Sequence, residues 1–217
     1  MRDGDNIRAV ERLDIHWMGF IFYPGSPRYV PDEDKYNIAI QSCKKVRVGV
    51  YVNENKDEIL RKVMKYRLDY VQLHGDESAD FCRRLQEDGC AVMKAFSVSS
   101  VIDFRQTALY EPFVNFFLFD TKGSIWGGTG RRFDWSVLKV YQGRTPFLLS
   151  GGIGPEHITE LLEFRHPLLA GIDLNSRFEL SPGLKDGVMI ERFVHQLKRS
   201  YFKKKHADDA DLKDFSR

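Results

Sequence analysis

The stretch FLLSGGIGPEH, residues 147–157, decides how the chain is read. An apolar run meets Ser150, then Gly151, Gly152, Ile153 and Gly154. Pro155 follows and introduces Ile158, Leu161 and Leu162 at helical spacing. A near-continuous apolar run suits a strand buried on both faces. Glycines after it let backbone N–H groups approach a ligand closely, and proline suits the first turn of a helix. Strand, glycine turn and helix make the repeating unit of a parallel α/β fold.

Working outward, six more apolar runs share this character. They begin near Met18 (MGFIF), Val46 (VRVGVYV), Tyr70 (YVQL), Val92 (VMKAF), Phe116 (FFLF) and Leu168 (LLAGIDL). The seven runs are spaced by about 21 to 31 residues, the size of strand–helix–strand units. Helical stripes lie between them. Ile59, Leu60, Val63 and Met64 share a face after a cap at Asn55, with Glu58 three residues on. Phe81, Cys82 and Leu85 form another, and Ile190, Phe193, Val194 and Leu197 the last. At the front, residues 3–6 read as a helix cap, with Ile7, Val10 and Leu13 as the buried stripe. The predicted order is one helix, then seven strand–helix units, the helix after the fifth run being the least distinct.

Two architectures absorb that order: an open doubly wound sheet, or a (β/α)8 TIM barrel whose first β-strand is missing from the chain. Even spacing and the lack of an early dinucleotide fingerprint favour the barrel. The 217 residues fit a single barrel domain over residues 1–200, followed by a charged tail, YFKKKHADDADLKDFSR, at 201–217. Acidic residues directly behind its basic patch favour a solvated or disordered extension over a nucleic-acid arm.

Composition excludes several classes. Lys and Arg number 33 against 31 Asp and Glu, so a net charge of +2 leaves no footprint for nucleic acid. No apolar run reaches membrane-spanning length, and the polar N-terminus is no signal peptide. Cys43, Cys82 and Cys90 are odd in number and lack metal-ligand spacing. They imply a reducing, cytoplasmic protein without disulfides or metal. None ends a strand, so none is placed as a catalytic thiol.

In parallel α/β folds chemistry gathers at the carboxyl ends of strands. The first run leads to Arg28, the second to Asn53, the third to His74-Gly75-Asp76 and the fourth to Ser97. The fifth ends at Asp120, ahead of Thr121, Lys122 and GSIWGGTGRRFDW. The sixth gives Gly151 and Gly152, and the seventh Asp173, Asn175 and Ser176. These groups on one rim point to a small-molecule site. The SGGIGPEH turn and the next strand end match the phosphate site common after the last two barrel strands; the competing reading is a simple tight turn. Asp120 ends an apolar run, and partial desolvation favours a proton held near neutral pH; the competing role is a helix cap. Arg28 either grips a carboxylate through its planar fork or is a surface arginine. His74 either touches substrate or is a satisfied rim histidine. The GGTG at 127–130 is neither a Walker loop nor a dinucleotide fingerprint; it reads as a loop, with a mobile lid as the alternative.

With these residues in view, the chain resembles the phosphoribosylanthranilate isomerases of tryptophan biosynthesis. The resemblance is carried in order by GFIFYPGSPRYV, VQLHGDE, LFDT with GGTGRRFDW, LLSGGI and GIDLNSRFELSPGLKD, over residues 3–197. It implies a (β/α)8 barrel that catalyses an Amadori rearrangement without metal or organic cofactor. It implies Asp120 as general acid, Arg28 on the anthranilate carboxylate and His74 near the substrate. Gly151, Gly152, Asn175 and Ser176 would contact phosphate, and Asp173 would line the site. The implied partner is a small phosphosugar, with no nucleic acid or membrane, in a monomer or homodimer.

Two departures stand out. Arg177 occupies a position where the family usually has glycine. The family also begins with a strand ending in Lys-Ile-Cys-Gly, whose cysteine is the general base, and residues 1–3 align with the positions directly after that strand. The expectation is therefore a chain of weak or no activity. The alternative is a non-catalytic phosphosugar-binding barrel.

Overall fold

The computed structural model describes residues 1–98, 104–120 and 135–214, with side chains of the last helix described as far as Tyr201. All seven apolar runs are strands: β1 Trp17–Ile21, β2 Val46–Tyr51, β3 Tyr70–Leu73, β4 Val92–Ser97, β5 Phe116–Asp120, β6 Phe147–Ser150 and β7 Leu169–Ile172. They are parallel and lie side by side in sequence order. A doubly wound sheet reverses strand order at a switch point; this one does not.

Curvature is fixed by aromatic contacts. Trp17 on β1 stacks on Tyr70 of β3 with centroids 5.0 Å apart, and meets Phe116 of β5 edge-on, also at 5.0 Å. In a flat sheet β1 and β5 would lie about 19 Å apart. The strands therefore curl, and the three rings form one layer of a barrel interior. Met93, Ala95 and Leu118 pack with Trp17, Phe116 and Leu148 inside it. On β5 the alternate residues Phe117 and Phe119 face outward, onto Tyr141 and Phe147. The architecture is the (β/α)8 barrel. Among the described residues seven strands form the sheet, with β1 and β7 as its edges.

The helices are α1 Gly4–Val10, α2 Asp34–Ser42, α3 Lys56–Tyr66, α4 Ala79–Glu87, α5 Ile158–Glu163 and α6 Gly187–Asp214. Asp3 and Ser78 cap α1 and α4 by accepting from the N–H of Asn6 and Phe81. Asn55 caps α3 through Asp57 N–H, while Glu58 turns to Arg61 instead of closing a capping box. Met64 does not join the buried stripe: it is 81% exposed, because the face through Ile59, Lys62 and Tyr66 takes the core side.

Between β4 and β5 the expected helix is replaced by two 3-10 segments, Phe104–Leu109 and Glu111–Phe113. Pro112 lacks the N–H an α-helix needs. The helix expected at Pro155 opens as a 3-10 turn, Pro155–His157, before α5. The charged tail continues α6 as helix to Asp214. Among the described residues no helix is long and apolar enough to cross a membrane.

After β7 come two short antiparallel strands, β8 Glu179–Ser181 and β9 Leu184–Lys185. Asn6 exchanges two 2.8 Å hydrogen bonds with the backbone of Lys185. The last unit thereby docks on the first helix, and the residues after β7 come beside those after β1.

Candidate active site

The barrel brings the predicted residues to one rim. Gln72 on β3 and His74, the residue just after that strand, project inward at alternate positions, as strand pleating requires. Asp120 projects inward at the end of β5 and is 3% exposed. Across the intervening β4, His74 Nε2 lies 3.3 Å from Asp120 Oδ2. The other ring nitrogen, Nδ1, lies 3.0 Å from Gln72 Nε2. With the Gln72 amide in this orientation Nδ1 accepts, and in a neutral ring that leaves Nε2 as the donor facing the carboxylate. Ser97, at the end of β4, is the register partner of Asp120. Thr121, Lys122 and the GGTG at 127–130 lie outside the described residues.

A buried polar network braces the loop that carries His74. Lys94 and Glu77 form an ion pair at 3.1 Å, each side chain 3% exposed. Glu77 accepts from the N–H of Asn53 and Gly75. Lys94 donates to the carbonyls of Leu73 and Gly75. Asn53 adopts φ 51° and accepts from Asp76 N–H at 2.8 Å. Gly75 packs on it so closely that a Cβ there would lie 2.4 Å from Asn53 Oδ1. Glycine is required at that position.

At the β6 end, Gly151 and Gly152 have φ of 99° and 66°, the left-handed region open to glycine. A Cβ on Gly152 would meet nothing within 4 Å, so space lies over that backbone. Ser150 Oγ donates to Asp173 Oδ2 at 2.8 Å, joining the ends of β6 and β7. Asn175 and Ser176 follow, where a 3-10 turn, Ser176–Phe178, begins. Arg177 pairs with Glu156, so its charge is directed at the neighbouring loop.

Arg28 is not a bare surface arginine. Its Nε and Nη2 are gripped by Glu179, with contacts of 2.7 to 3.0 Å. Glu179 also takes Lys185 Nζ at 3.2 Å, and Lys185 donates to Asn175 Oδ1 at 2.8 Å. Glu179, Lys185, Glu77, Lys94 and Gln72 do not stand out in the sequence. A lysine inside the apolar run VMKAF is the one signal that could have found the buried pair.

The cysteines stand apart from this rim. Cys43 Sγ contacts Met18 Sδ at 3.4 Å. Burial pushes the Cys82 thiol up to about 12 and raises those of Cys43 and Cys90. Among the described residues no three His, Cys, Asp or Glu side chains converge as a metal site would need.

Comparison with known proteins points one way. The family model described as N-(5'phosphoribosyl)anthranilate (PRA) isomerase matches residues 2–196. An N-(5'-phosphoribosyl)anthranilate isomerase of Parabacteroides distasonis is 48% identical, covering 91% of this chain and 90% of that one. One from Phocaeicola vulgatus is 45% identical, covering 92% and 95%. A crystal structure of a phosphoribosyl anthranilate isomerase with reduced 1-(o-carboxyphenylamino)-1-deoxyribulose 5-phosphate superposes with TM-score 0.77. It is 30% identical and covers 91% of this chain and 95% of that one.

Proposed function

The chain belongs to the N-(5'-phosphoribosyl)anthranilate isomerase family, and on that footing we propose how its rim residues carry the reaction. The protein is an isomerase of tryptophan biosynthesis. It converts N-(5-phosphoribosyl)anthranilate to 1-(2-carboxyphenylamino)-1-deoxyribulose 5-phosphate by an Amadori rearrangement.

Asp120 is the general acid. The nitrogen lone pair forms the C1=N bond as the bond from C1 to the ring oxygen breaks, and Asp120 gives that oxygen its proton. A base then removes the C2 proton, and the electrons flow to C1=C2 and nitrogen, giving an enolamine. C1 takes up a proton as the C2 hydroxyl loses one, which yields the ketone and balances the isomerisation. Arg28 holds the anthranilate carboxylate through a charge-assisted pair. Gly151, Gly152, Asn175 and Ser176 receive the phosphate, Asp173 lines the site, and His74 lies against the substrate and Asp120. The observation that carries this assignment is the contact between His74 and Asp120 at the centre of the rim. We place the reaction in the cytoplasm, on the strength of three free thiols.

Turnover of N-(5-phosphoribosyl)anthranilate is to be measured for the chain and for its Asp120→Asn variant. Asp120→Asn is expected to lose about 10²–10⁴-fold. Undiminished turnover by the variant overturns Asp120 as the acid.

A further inference from the structure

A single carboxylate stands between the two ends of the substrate site. Arg28, after β1, is the proposed carboxylate grip, and Asn175, after β7, belongs to the proposed phosphate end. Glu179 touches the first directly and reaches the second through Lys185. Its side chain is only 4% exposed. It takes Arg28 in a fork, Nε at 3.0 and 2.8 Å and Nη2 at 2.7 Å. The Gly183 N–H adds a bond at 3.2 Å to Glu179 Oε1. Lys185 Nζ, 3.2 Å from the same Oε1, donates to Asn175 Oδ1 at 2.8 Å and to its carbonyl at 3.1 Å.

The local sequence explains why the carboxylate arrives there. Pro182-Gly183 turns the chain between β8 and β9, with Gly183 at φ 87°, as a Pro-Gly turn demands. That turn lies directly on the Arg28 backbone: a Cβ on Gly183 would be 3.8 Å from Arg28 Cα. Guanidinium is a rigid plane with its donors on fixed edges. With the Nε/Nη2 edge taken, a ligand is offered Nη1. Among the described residues Nη1 has no hydrogen bond.

We propose that Glu179 is a positioning residue for substrate recognition. It locks the Arg28 guanidinium so that the Nη1 edge meets the aromatic carboxylate, and it ties that end to Asn175 through Lys185. Desolvation works against the Glu179 charge, but the bond to Arg28 and the charge of Lys185 outweigh it and hold the carboxyl below its usual range. The inference rests on the reading of Arg28 as carboxylate grip.

The test compares two ligands: reduced 1-(o-carboxyphenylamino)-1-deoxyribulose 5-phosphate and its phenylamino counterpart without the carboxyl. Their Kd ratio isolates recognition of that one group. Wild type is expected to prefer the carboxylated ligand by about tenfold or more. Glu179→Gln should bring the ratio close to one, as should Arg28→Met, and the double variant should add nothing. Glu179→Asp, which restores the charge, should recover part of the preference. A merely structural role would weaken both ligands alike and leave the ratio untouched. Loss of preference in Arg28→Met but not in Glu179→Gln overturns the positioning role alone. An unchanged ratio in Arg28→Met overturns the reading of Arg28, and this inference with it.

Discussion

His74 and Asp120, 46 residues apart in sequence, meet at 3.3 Å inside the barrel because β3 and β5 curl toward one another over β4. His74 Nε2 faces Oδ2, and Gln72 holds the opposite nitrogen. On the proposed assignment of Asp120, His74 is the neighbour that orients the acid. His74→Ala is therefore expected to lower kcat, by less than the about 10²–10⁴-fold assigned to Asp120→Asn. The affinity for the reduced product analogue should change little. Steady-state kinetics with a parallel binding titration checks it. A raised KM at unchanged kcat would instead make His74 a plain binding contact.

The pair of Lys94 and Glu77 makes a prediction about stability. Both side chains are buried, and between them they hold backbone groups of Asn53, Leu73 and Gly75. Removing one partner leaves a buried charge uncompensated, which typically costs about 3–5 kcal/mol. Lys94→Met should lower the urea midpoint accordingly, with the slope unchanged. Because the pair anchors the turn after His74, the folded variant should also lose kcat. Unaltered stability would mean that the surrounding backbone donors satisfy Glu77 alone.

The fold is largely legible in the sequence because its signal is redundant. Seven apolar runs of similar spacing specify seven strands whatever happens at any one position, and each strand begins within a residue of its run. The rim is legible for the same reason, since a polar residue ending an apolar run is at the carboxyl end of a strand. Glu179 is not legible, because in RFELSPGLKD nothing separates it from a solvated loop acid. Its partner lies 151 residues away, and only the docking of the last unit on the first brings them together. Met64 misleads because Ile59, Leu60, Val63 and Met64 span more of the helix circumference than the core covers. The 3-10 segments between β4 and β5 escape because apolar periodicity does not separate them from a short α-helix.

Acid stability should report the cluster around Asp32. Its carboxyl accepts from Lys65 and also from Arg61 and Tyr66, and these hold it at about 2 against the opposing effect of desolvation. The folded value lies below the unfolded one of about 3.9. The stabilisation is therefore complete above the unfolded value and is lost as pH falls through about 2. Asp32 is partly exposed, so the effect is screened and small. Asp32→Asn should lower Tm by about 1–3 °C at pH 7. The two proteins should converge below about pH 2. Calorimetry across that range checks it: a gap that persists in acid would assign the loss to packing instead of charge.

Gly152 separates backbone conformation from crowding. At φ 66° it occupies a region that L side chains rarely adopt, yet a Cβ there would meet nothing within 4 Å. Gly152→Ala should therefore act by strain alone, about 1–2 kcal/mol at such a site. If the turn relaxes, the N–H groups proposed to receive the phosphate are displaced. The variant is expected to fold, to bind inorganic phosphate and the reduced product analogue more weakly, and to show a raised KM with kcat less affected. Leu161→Ala, a nearby substitution on α5 that removes a buried side chain, serves as the contrast. It should cost about 2–5 kcal/mol of stability while leaving phosphate affinity close to wild type. Equal phosphate affinity in Gly152→Ala and wild type would move the phosphate site away from this turn and toward Asn175 and Ser176.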